Sequence, residues 1–366
     1  MTTHNAANER IKRQYLAYLR EAKRYSEASL DGVAKALHRF ESYHRFREFR
    51  KFHIDQAISF KAHLAGQTSQ RTKEGLSKAT LYSTLAALRN FFHWLAGQPG
   101  FRSRISYGDA DYFNLSEKDT RVAKARRERP APTLEQIRHV LAILPPTSAI
   151  ERRDRALIAF TALTGARDSA IASFRLKHID IAQGLLEQDA REVKTKFSKT
   201  FTTWFFPVGD DVRAIVEDWV RYLRDKQLWG PDDPLFPATR IVVGSSRQFE
   251  ASGLDRKPWS NAAPIRRIFK EAFARAGLPY FNPHSFRTTL AQLGEQRCRS
   301  AEEFKAWSQN LGHEKVLTTL TSYGRVAPTR QAEIIRSLGR PGPQKDDVAK
   351  LIQTLWEATR HPSQAP

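Results

Sequence analysis

The segment LSEKDTRVAKARRERPAP, residues 115–132, most constrains how the chain can fold. It has almost no large apolar residues, it is rich in charge, and Pro130 and Pro132 close it. A hydrophobic core cannot continue through such a stretch, and domain boundaries usually fall in exposed, polar linkers. We therefore predict that residues 115–132 link two separately folded parts, which the length of 366 residues also favours.

Residues 1–114 carry apolar side chains at helical spacing. The clearest case is the stretch 77–97, where Ser77 can cap a helix and Gly97 can end it. Similar amphipathic patterns occupy residues 9–25 and 29–42. We predict a small helical bundle over residues 1–114.

Residues 133–340 combine helical patterns with one stretch typical of strands. Thr133 and Gln136 form a capping box before an apolar run, which predicts a new helix after the linker. Between about 179 and 208, β-branched and aromatic residues dominate, and we predict a small antiparallel sheet there. Helices are predicted at 151–164, 168–177, 210–226, 261–275, 284–296 and 300–311, with a last one at 344–358 in a tail of residues 341–366. The expected fold is mainly α and multidomain, with a mixed α/β second domain.

The net charge of +21 indicates a polyanionic partner. Residues 1–130 hold 25 basic and 13 acidic side chains, and the remainder holds 35 and 26, so both halves carry the excess. Like charges repel in a compact fold unless a polyanion offsets them, and double-stranded DNA is the natural candidate. Improved solubility and binding to an anionic membrane are the alternatives.

The sequence also argues against a membrane-spanning, a secreted or a nucleotide-dependent protein. No run approaches eighteen apolar residues, so we expect no membrane span, and the polar N-terminus shows no secretory signal. The single cysteine, Cys298, favours a reducing, cytoplasmic location, which for a DNA-binding protein means the nucleoid. Neither a P-loop nor a GxGxxG motif is present, so we expect no nucleotide cofactor.

Two short motifs place cationic side chains where a phosphate could bind. HSFR sets His284 three residues before Arg287, on one helix face, and TGAR sets Arg167 just after a helix end. Arginine suits phosphate because its planar fork donates paired hydrogen bonds to two oxygens. Zinc binding by His284 and His313 is the competing interpretation, but no HExxH or CxxC supplies further ligands, so no metal is expected.

Two further residue types complete a possible phosphodiester-transfer site. Tyr323 can act as a nucleophile, and a lysine of the segment KTKFSK can protonate a leaving 5′-oxygen. Taken singly, each of these residues has a more ordinary explanation: a salt bridge for Arg167, a core position for the tyrosine, a solvated surface for the lysine. Their order along the chain favours the site.

That ordered set resembles the tyrosine recombinase family, the phage-integrase type of site-specific DNA recombinase. TGAR, VKTKFSK, HSFR and LGHEKVLTTLTSY match the family's motifs in order. The resemblance identifies the catalytic residues as Arg167, Lys194, His284, Arg287, His313 and Tyr323. Lys196 and Lys199 remain alternatives to Lys194, since the register of a hairpin turn slips easily. One departure from the pattern is Ala170, where the family often has an acidic residue; Asp168 lies nearby.

The resemblance implies a mechanism that needs neither metal nor ATP. Tyr323 would attack the scissile phosphate and form a 3′-phosphotyrosyl bond, and Lys194 would protonate the leaving 5′-oxygen. Arg167, Arg287 and His313 would stabilise the pentavalent state, with His284 as general base or phosphate contact. Four protomers on two DNA duplexes with specific recombination sites are implied, linked by exchange of the C-terminal helix. A type IB topoisomerase and a non-catalytic DNA-binding protein are the rival interpretations.

Overall fold

The computed structural model describes residues 4–68, 74–125, 130–244 and 247–313 of the chain. The chain divides into two compact units, residues 1–126 and 127–366. This division lies inside the segment 115–132. In the described part of the chain, no helix is both long and apolar enough to cross a membrane.

The first unit is helical, as predicted. Its helices are α1 (Ala6–Glu21), α2 (Glu27–Tyr43), α3 (Ile54–Gly66), α4 (Lys78–Ala96) and α5 (Glu117–Lys124). The Ser77 side chain accepts a hydrogen bond from the backbone N–H of Thr80, so it caps α4 as expected, and Gly97 comes directly after the last residue of that helix.

Helix α5 lies within the segment predicted as a linker. The Ser116 side chain caps its first turn, and Asp119 forms an ion pair with Lys78 of α4 at 2.8 Å. The Lys124 ammonium lies 5.2 Å from the centre of the Tyr82 ring, also on α4. The first half of the segment is therefore ordered by polar contacts to α4, which a search for apolar periodicity does not detect.

Aromatic rings fill the core of the first unit. The Phe40 ring meets Phe60, Phe92 and Phe113 edge-on, with ring centres 5.3 to 5.7 Å apart. Edge-to-face pairs add about 0.5–1.5 kcal/mol each beyond their buried area. This cluster joins α2, α3 and α4 to the turn that precedes α5.

A buried polar network closes the bundle at the start of α1. The Asn8 amide donates to the Glu41 carboxylate (3.0 Å) and to the carbonyl of Arg47 (3.0 Å), and its oxygen accepts from the N–H of Phe49 (2.9 Å). Lys12 completes the network with an ion pair to Glu41 at 2.6 Å. Asn8 and Glu41 are both almost fully buried, so water cannot replace a hydrogen-bond partner that either side chain loses.

We predict that Asn8→Leu destabilises the first unit by about 2–4 kcal/mol, because it leaves the Glu41 oxygen, the Arg47 carbonyl and the Phe49 N–H unpaired. Peptide-resolved hydrogen exchange of α1 and α2 in the full chain measures this. The control is Glu9→Gln, which removes the exposed partner of Lys12 and should cost less than ~1 kcal/mol. Equal effects of the two substitutions would contradict the role of the network.

The second unit is mostly helical with two small antiparallel sheets. Its helices are α6 (Leu134–Ile143), α7 (Ala149–Thr164), α8 (Asp168–Ile171), α9 (Asp210–Arg221), α10 (Ala263–Arg275), α11 (Ser285–Arg297) and α12 (Ala301–Asn310). Strands β1 (Ile179–Asp180), β2 (Leu185–Gln188) and β3 (Phe201–Trp204) form one sheet in that order; β4 (Pro237–Val243) and β5 (Phe249–Pro258) form the other. The mainly α fold with a small sheet at 179–208 is thus confirmed.

Helix α7 runs through the core of the second unit. Every residue from 156 to 164 at its C-terminal end is buried, and all of them except Thr161 and Thr164 are apolar. A helix buried on all sides fixes the position of the residues that come directly after it. In this chain those residues belong to the TGAR motif.

Two local predictions were wrong, and one element was not predicted. The helix predicted at 168–177 ends at Ile171, because the chain beyond it bonds across to another segment: the Phe174 carbonyl accepts from Leu235, and the Leu176 N–H donates to the Asp233 carbonyl. The sheet predicted over 179–208 is interrupted at REVKTKF, which is not a strand, since the N–H groups of Glu192 and Val193 turn back onto the Asp189 carbonyl. The β4–β5 hairpin was not predicted.

Candidate active site

The TGAR motif forms a tight turn at the end of α7. Gly165 ends the helix in the left-handed conformation (φ 59°), and the Thr164 hydroxyl accepts from the N–H of Ala166. A Cβ at Gly165 would lie 2.9 Å from the Leu290 side chain and 3.1 Å from that of Leu311, so no larger residue fits without movement. Arg167 comes next in an extended conformation at the start of α8 and is half-buried.

Arg287, on α11, is the most buried cation of the site, at 2% exposure. Its guanidinium donates to the Gly165 carbonyl (2.6 Å), to the Leu311 carbonyl (2.5 Å) and to Nε2 of His313 (3.0 Å). All three partners are neutral, and its buried Nε has no hydrogen-bond partner among the described residues. TGAR, HSFR and LGH, distant in sequence, are thus held together by one side chain.

His313 is a neutral, buried imidazole. Burial lowers its pKa to about 3, and the positive charges of Arg287, Arg167, His284 and Lys199 act in the same direction. Because a guanidinium only donates hydrogen bonds, Nε2 of His313 must accept, and its proton is on Nδ1. His313 therefore offers an N–H donor without adding charge to a cationic site.

His284 lies at the N-terminal boundary of α11 and is exposed, while Arg287 points inward one turn later. Both charges act on His313, so the two residues flank one site, as the spacing of HSFR predicts. The sequence did not predict that Arg287 would be buried and His284 exposed.

Gly312 lets the histidine loop pass close to β3. Its φ is +71°, and a Cβ there would lie 2.6 Å from the Phe201 ring. A side chain at this position would push the Phe201 ring and the loop apart. The glycine of LGH is therefore required both by the backbone conformation and by the contact with the sheet.

The lysines of KTKFSK lie in the long connection between β2 and β3, residues 189–200. Lys194 is exposed, and two serine hydroxyls hold its backbone. Its N–H donates to the Ser173 hydroxyl (2.9 Å), and its carbonyl accepts from the Ser169 hydroxyl (3.5 Å), two residues after Arg167 in the chain. Lys199 is the lysine whose charge acts on His313. Lys194 does not lie at the end of a strand, because β2 ends at Gln188.

The acidic residue beside Arg167 has another partner. Asp168 accepts from Nε of Arg266, on α10, at 2.7 Å, and its other oxygen caps the N–H of Ser169. Ala170, at the position where an acidic residue was expected, is buried. The ion pair ties the start of α8 to α10 and so orders the backbone next to Arg167.

Two sequence-based predictions lie outside the described residues: Tyr323, the proposed nucleophile, and the C-terminal helix at 344–358. Within the described residues, no group of three or more His, Cys, Asp or Glu side chains that could hold a metal ion is found.

Comparison with known sequences extends over both units. Residues 132–330 match the sequence profile of the "Phage integrase family", and residues 13–98 match the profile "Phage integrase, N-terminal SAM-like domain". A protein named tyrosine recombinase XerC from Pseudomonas putida is 24% identical over 320 residues, which cover 84% of this chain and 90% of that protein.

Solved structures share the fold. A lambda integrase fragment, crystallised as a dimer bound to a COC′ core site, matches with a TM-score of 0.57 and 14% identity over 86% of this chain and 95% of that one. A lambda integrase tetramer bound to a Holliday junction matches with a TM-score of 0.52 and 15% identity, covering 88% and 81% of the two chains. At these identities the likeness concerns the fold alone.

The pKa of His313 predicts how acid acts on the second unit. The unfolded chain binds a proton at this position below pH 6.5, whereas the folded chain stays neutral there until about pH 3. The unfolded state therefore holds more protons between these values, and the free energy of unfolding should fall as the pH falls through this window.

His313→Gln keeps a hydrogen-bond acceptor and removes the titration, so its stability should depend less steeply on pH between 6.5 and 3. Urea unfolding at a series of pH values, followed by tryptophan fluorescence, measures the slope. His139→Gln, an exposed histidine of α6, is the control and should keep the wild-type slope. Identical slopes in all three proteins would refute the assignment.

Proposed function

Since the chain belongs to the phage integrase family and is a tyrosine recombinase, we propose that it cuts and rejoins DNA strands at specific sites through a 3′-phosphotyrosyl intermediate. Tyr323 is the proposed nucleophile. The reaction needs neither metal nor ATP, because the energy of the broken phosphodiester is kept in the covalent protein–DNA bond. Double-stranded DNA carrying recombination sites is the substrate.

The buried guanidinium of Arg287 is the observation that carries this proposal. A buried cation normally has an anionic partner, because desolvation of an unpaired charge costs several kcal/mol. Here the partners are two carbonyls and a neutral imidazole, and the charges of Arg167, His284 and Lys199 are close enough to lower the pKa of His313. Such a site is built to receive an anion, and a phosphodiester brings one.

The same arrangement suits a phosphoryl transition state. As the tyrosine oxygen bonds to phosphorus and the bond to the 5′-oxygen breaks, negative charge grows on the non-bridging oxygens. Preorganised donors around those oxygens lower the barrier, more so in a site shielded from water. Arg167, Arg287 and the Nδ1–H of His313 are the proposed donors. His284, exposed at the start of α11, is the proposed base that takes the tyrosine proton or a further phosphate contact.

For the general acid we propose Lys199, with Lys194 as the alternative that the sequence motif favours. The charge of Lys199 is the last of the causes that lower the pKa of His313, which supports a position of this lysine near the imidazole. It also precedes β3 by two residues, so the position of this strand in the sheet limits how far Lys199 can move. Protonation of the leaving 5′-oxygen by this ammonium completes the step and leaves a 5′-hydroxyl.

We propose that both units bind DNA and that four protomers act on two duplexes. The basic excess in both parts of the sequence supports the first statement. The lambda integrase tetramer on a Holliday junction, which shares the fold, supports the second. Exchange of the C-terminal segment, residues 341–366, between protomers is the proposed link, and a hydroxyl of the partner strand then reverses the cleavage to exchange strands.

Tyr323→Phe tests the proposed nucleophile, since it removes one oxygen and keeps the ring. On a nicked suicide substrate carrying the recombination site, the wild-type protein should accumulate a covalent DNA adduct that survives denaturant. The variant should form none and should bind DNA with unchanged affinity. Tyr280→Phe, the nearest other tyrosine in the sequence, serves as control and should react normally. An adduct in Tyr323→Phe, or one mapped to another peptide, would disprove the assignment.

Substitution of each lysine of the connection by alanine tests the general acid. Lys199→Ala should slow cleavage of an ordinary phosphodiester by about 10²–10⁴-fold, the usual contribution of a positioned acid. It should regain most of that rate on DNA with a 5′-bridging phosphorothiolate, because the sulfur leaves without a proton. If Lys194→Ala or Lys196→Ala shows this rescue and Lys199→Ala does not, the lysine whose variant is rescued is the acid.

A further inference from the structure

The last residue of α12 holds the outer edge of β3. The Asn310 side chain accepts from the N–H of Trp204 (2.7 Å) and donates to the carbonyl of the same residue (2.9 Å). Strand β3 pairs with β2 on one side, so these backbone groups face away from the sheet. The amide thus takes the place that a neighbouring strand would occupy at this edge.

Further contacts strengthen the same junction. The Thr203 hydroxyl donates to the Asn310 carbonyl (3.1 Å) and accepts from the Gln188 amide of β2 (2.9 Å); the Thr203 and Gln188 side chains are both buried. Two residues after Asn310, the Phe201 ring packs against Gly312. The first and last residues of β3 are therefore both attached to the segment 310–312.

This junction lies between two proposed catalytic elements. His313 comes three residues after Asn310, and Lys199 comes two residues before β3 begins. The connection 189–200 is long, and Lys199 lies at the end of it that leads into β3. The contact between β3 and the histidine loop therefore holds the end of the connection that carries Lys199 against the segment that leads to His313.

We propose that Asn310 is a positioning residue of the recombinase: its amide, bonded to both backbone groups of Trp204, keeps the lysine-bearing connection in register with the His313 loop. The inference rests on the proposed function, since it concerns the delivery of the proton to the leaving oxygen. Asparagine suits the task because one short side chain offers a donor and an acceptor. Aspartate lacks the donor, and alanine or leucine lacks both.

The test compares Asn310→Ala with wild type in single-turnover cleavage of the nicked substrate at saturating protein. The variant should cleave an ordinary phosphodiester about 10- to 100-fold more slowly, the usual effect of a misplaced catalytic group. It should recover most of this loss on the 5′-bridging phosphorothiolate, which needs no acid, and its DNA affinity should stay unchanged. Gln309→Ala, the exposed preceding residue, is the matched control and should behave as wild type on both substrates.

Hydrogen exchange in the DNA-free protein gives a second, independent readout. The Trp204 N–H should exchange faster in Asn310→Ala, and Asn310→Asp, which keeps the acceptor, should protect it better than alanine does. An equal loss on both substrates would indicate general damage and overturn the inference, as would an unchanged cleavage rate or unchanged exchange. Absence of any adduct with the wild-type protein would instead refute the proposed function.

Discussion

The second unit depends on one buried cation. Arg287 joins the end of α7, the start of α11 and the loop after α12 through bonds to Gly165, Leu311 and His313. An unpaired buried guanidinium destabilises a fold, and neutral acceptors offset only part of that cost. The fold tolerates it because α7 and the apolar shell around it supply the stability.

The neutral state of His313 results first from its burial and then from the same charge. Beside Arg287, and with Arg167, His284 and Lys199 acting on it, a protonated imidazole would add a further cation to a desolvated site, and its pKa falls accordingly. A phosphate in the site would cancel part of this repulsion. Under the proposed function, part of the energy of DNA binding would relieve this repulsion at the point where charge develops in the reaction.

The sequence predicted those parts of the site that a local pattern encodes. TGAR, HSFR and LGH each carry a glycine or a helix boundary next to a functional side chain, and these local features hold in the structure. Long-range contacts were not predictable. The Asp168–Arg266 ion pair joins residues 98 positions apart, and the bonds of Asn310 to Trp204 span 106, with no periodicity to reveal either. The β4–β5 hairpin escaped notice because its exposed apolar residues do not alternate cleanly with polar ones.

Local motifs are visible in the sequence and long-range contacts are not, because the two have different structural roles. Catalytic side chains must lie on stiff backbone, so they occur beside helix ends and glycine turns that leave a mark in the local sequence. The groups that hold those backbones at fixed distances need only reach an unpaired N–H or carbonyl. An asparagine at the end of α12 does this with one donor and one acceptor. The lysine connection has no regular partner strand along residues 189–200. Side chains therefore hold it in place at two points, Ser173 at Lys194 and Asn310 at β3, rather than the hydrogen-bond ladder of a sheet.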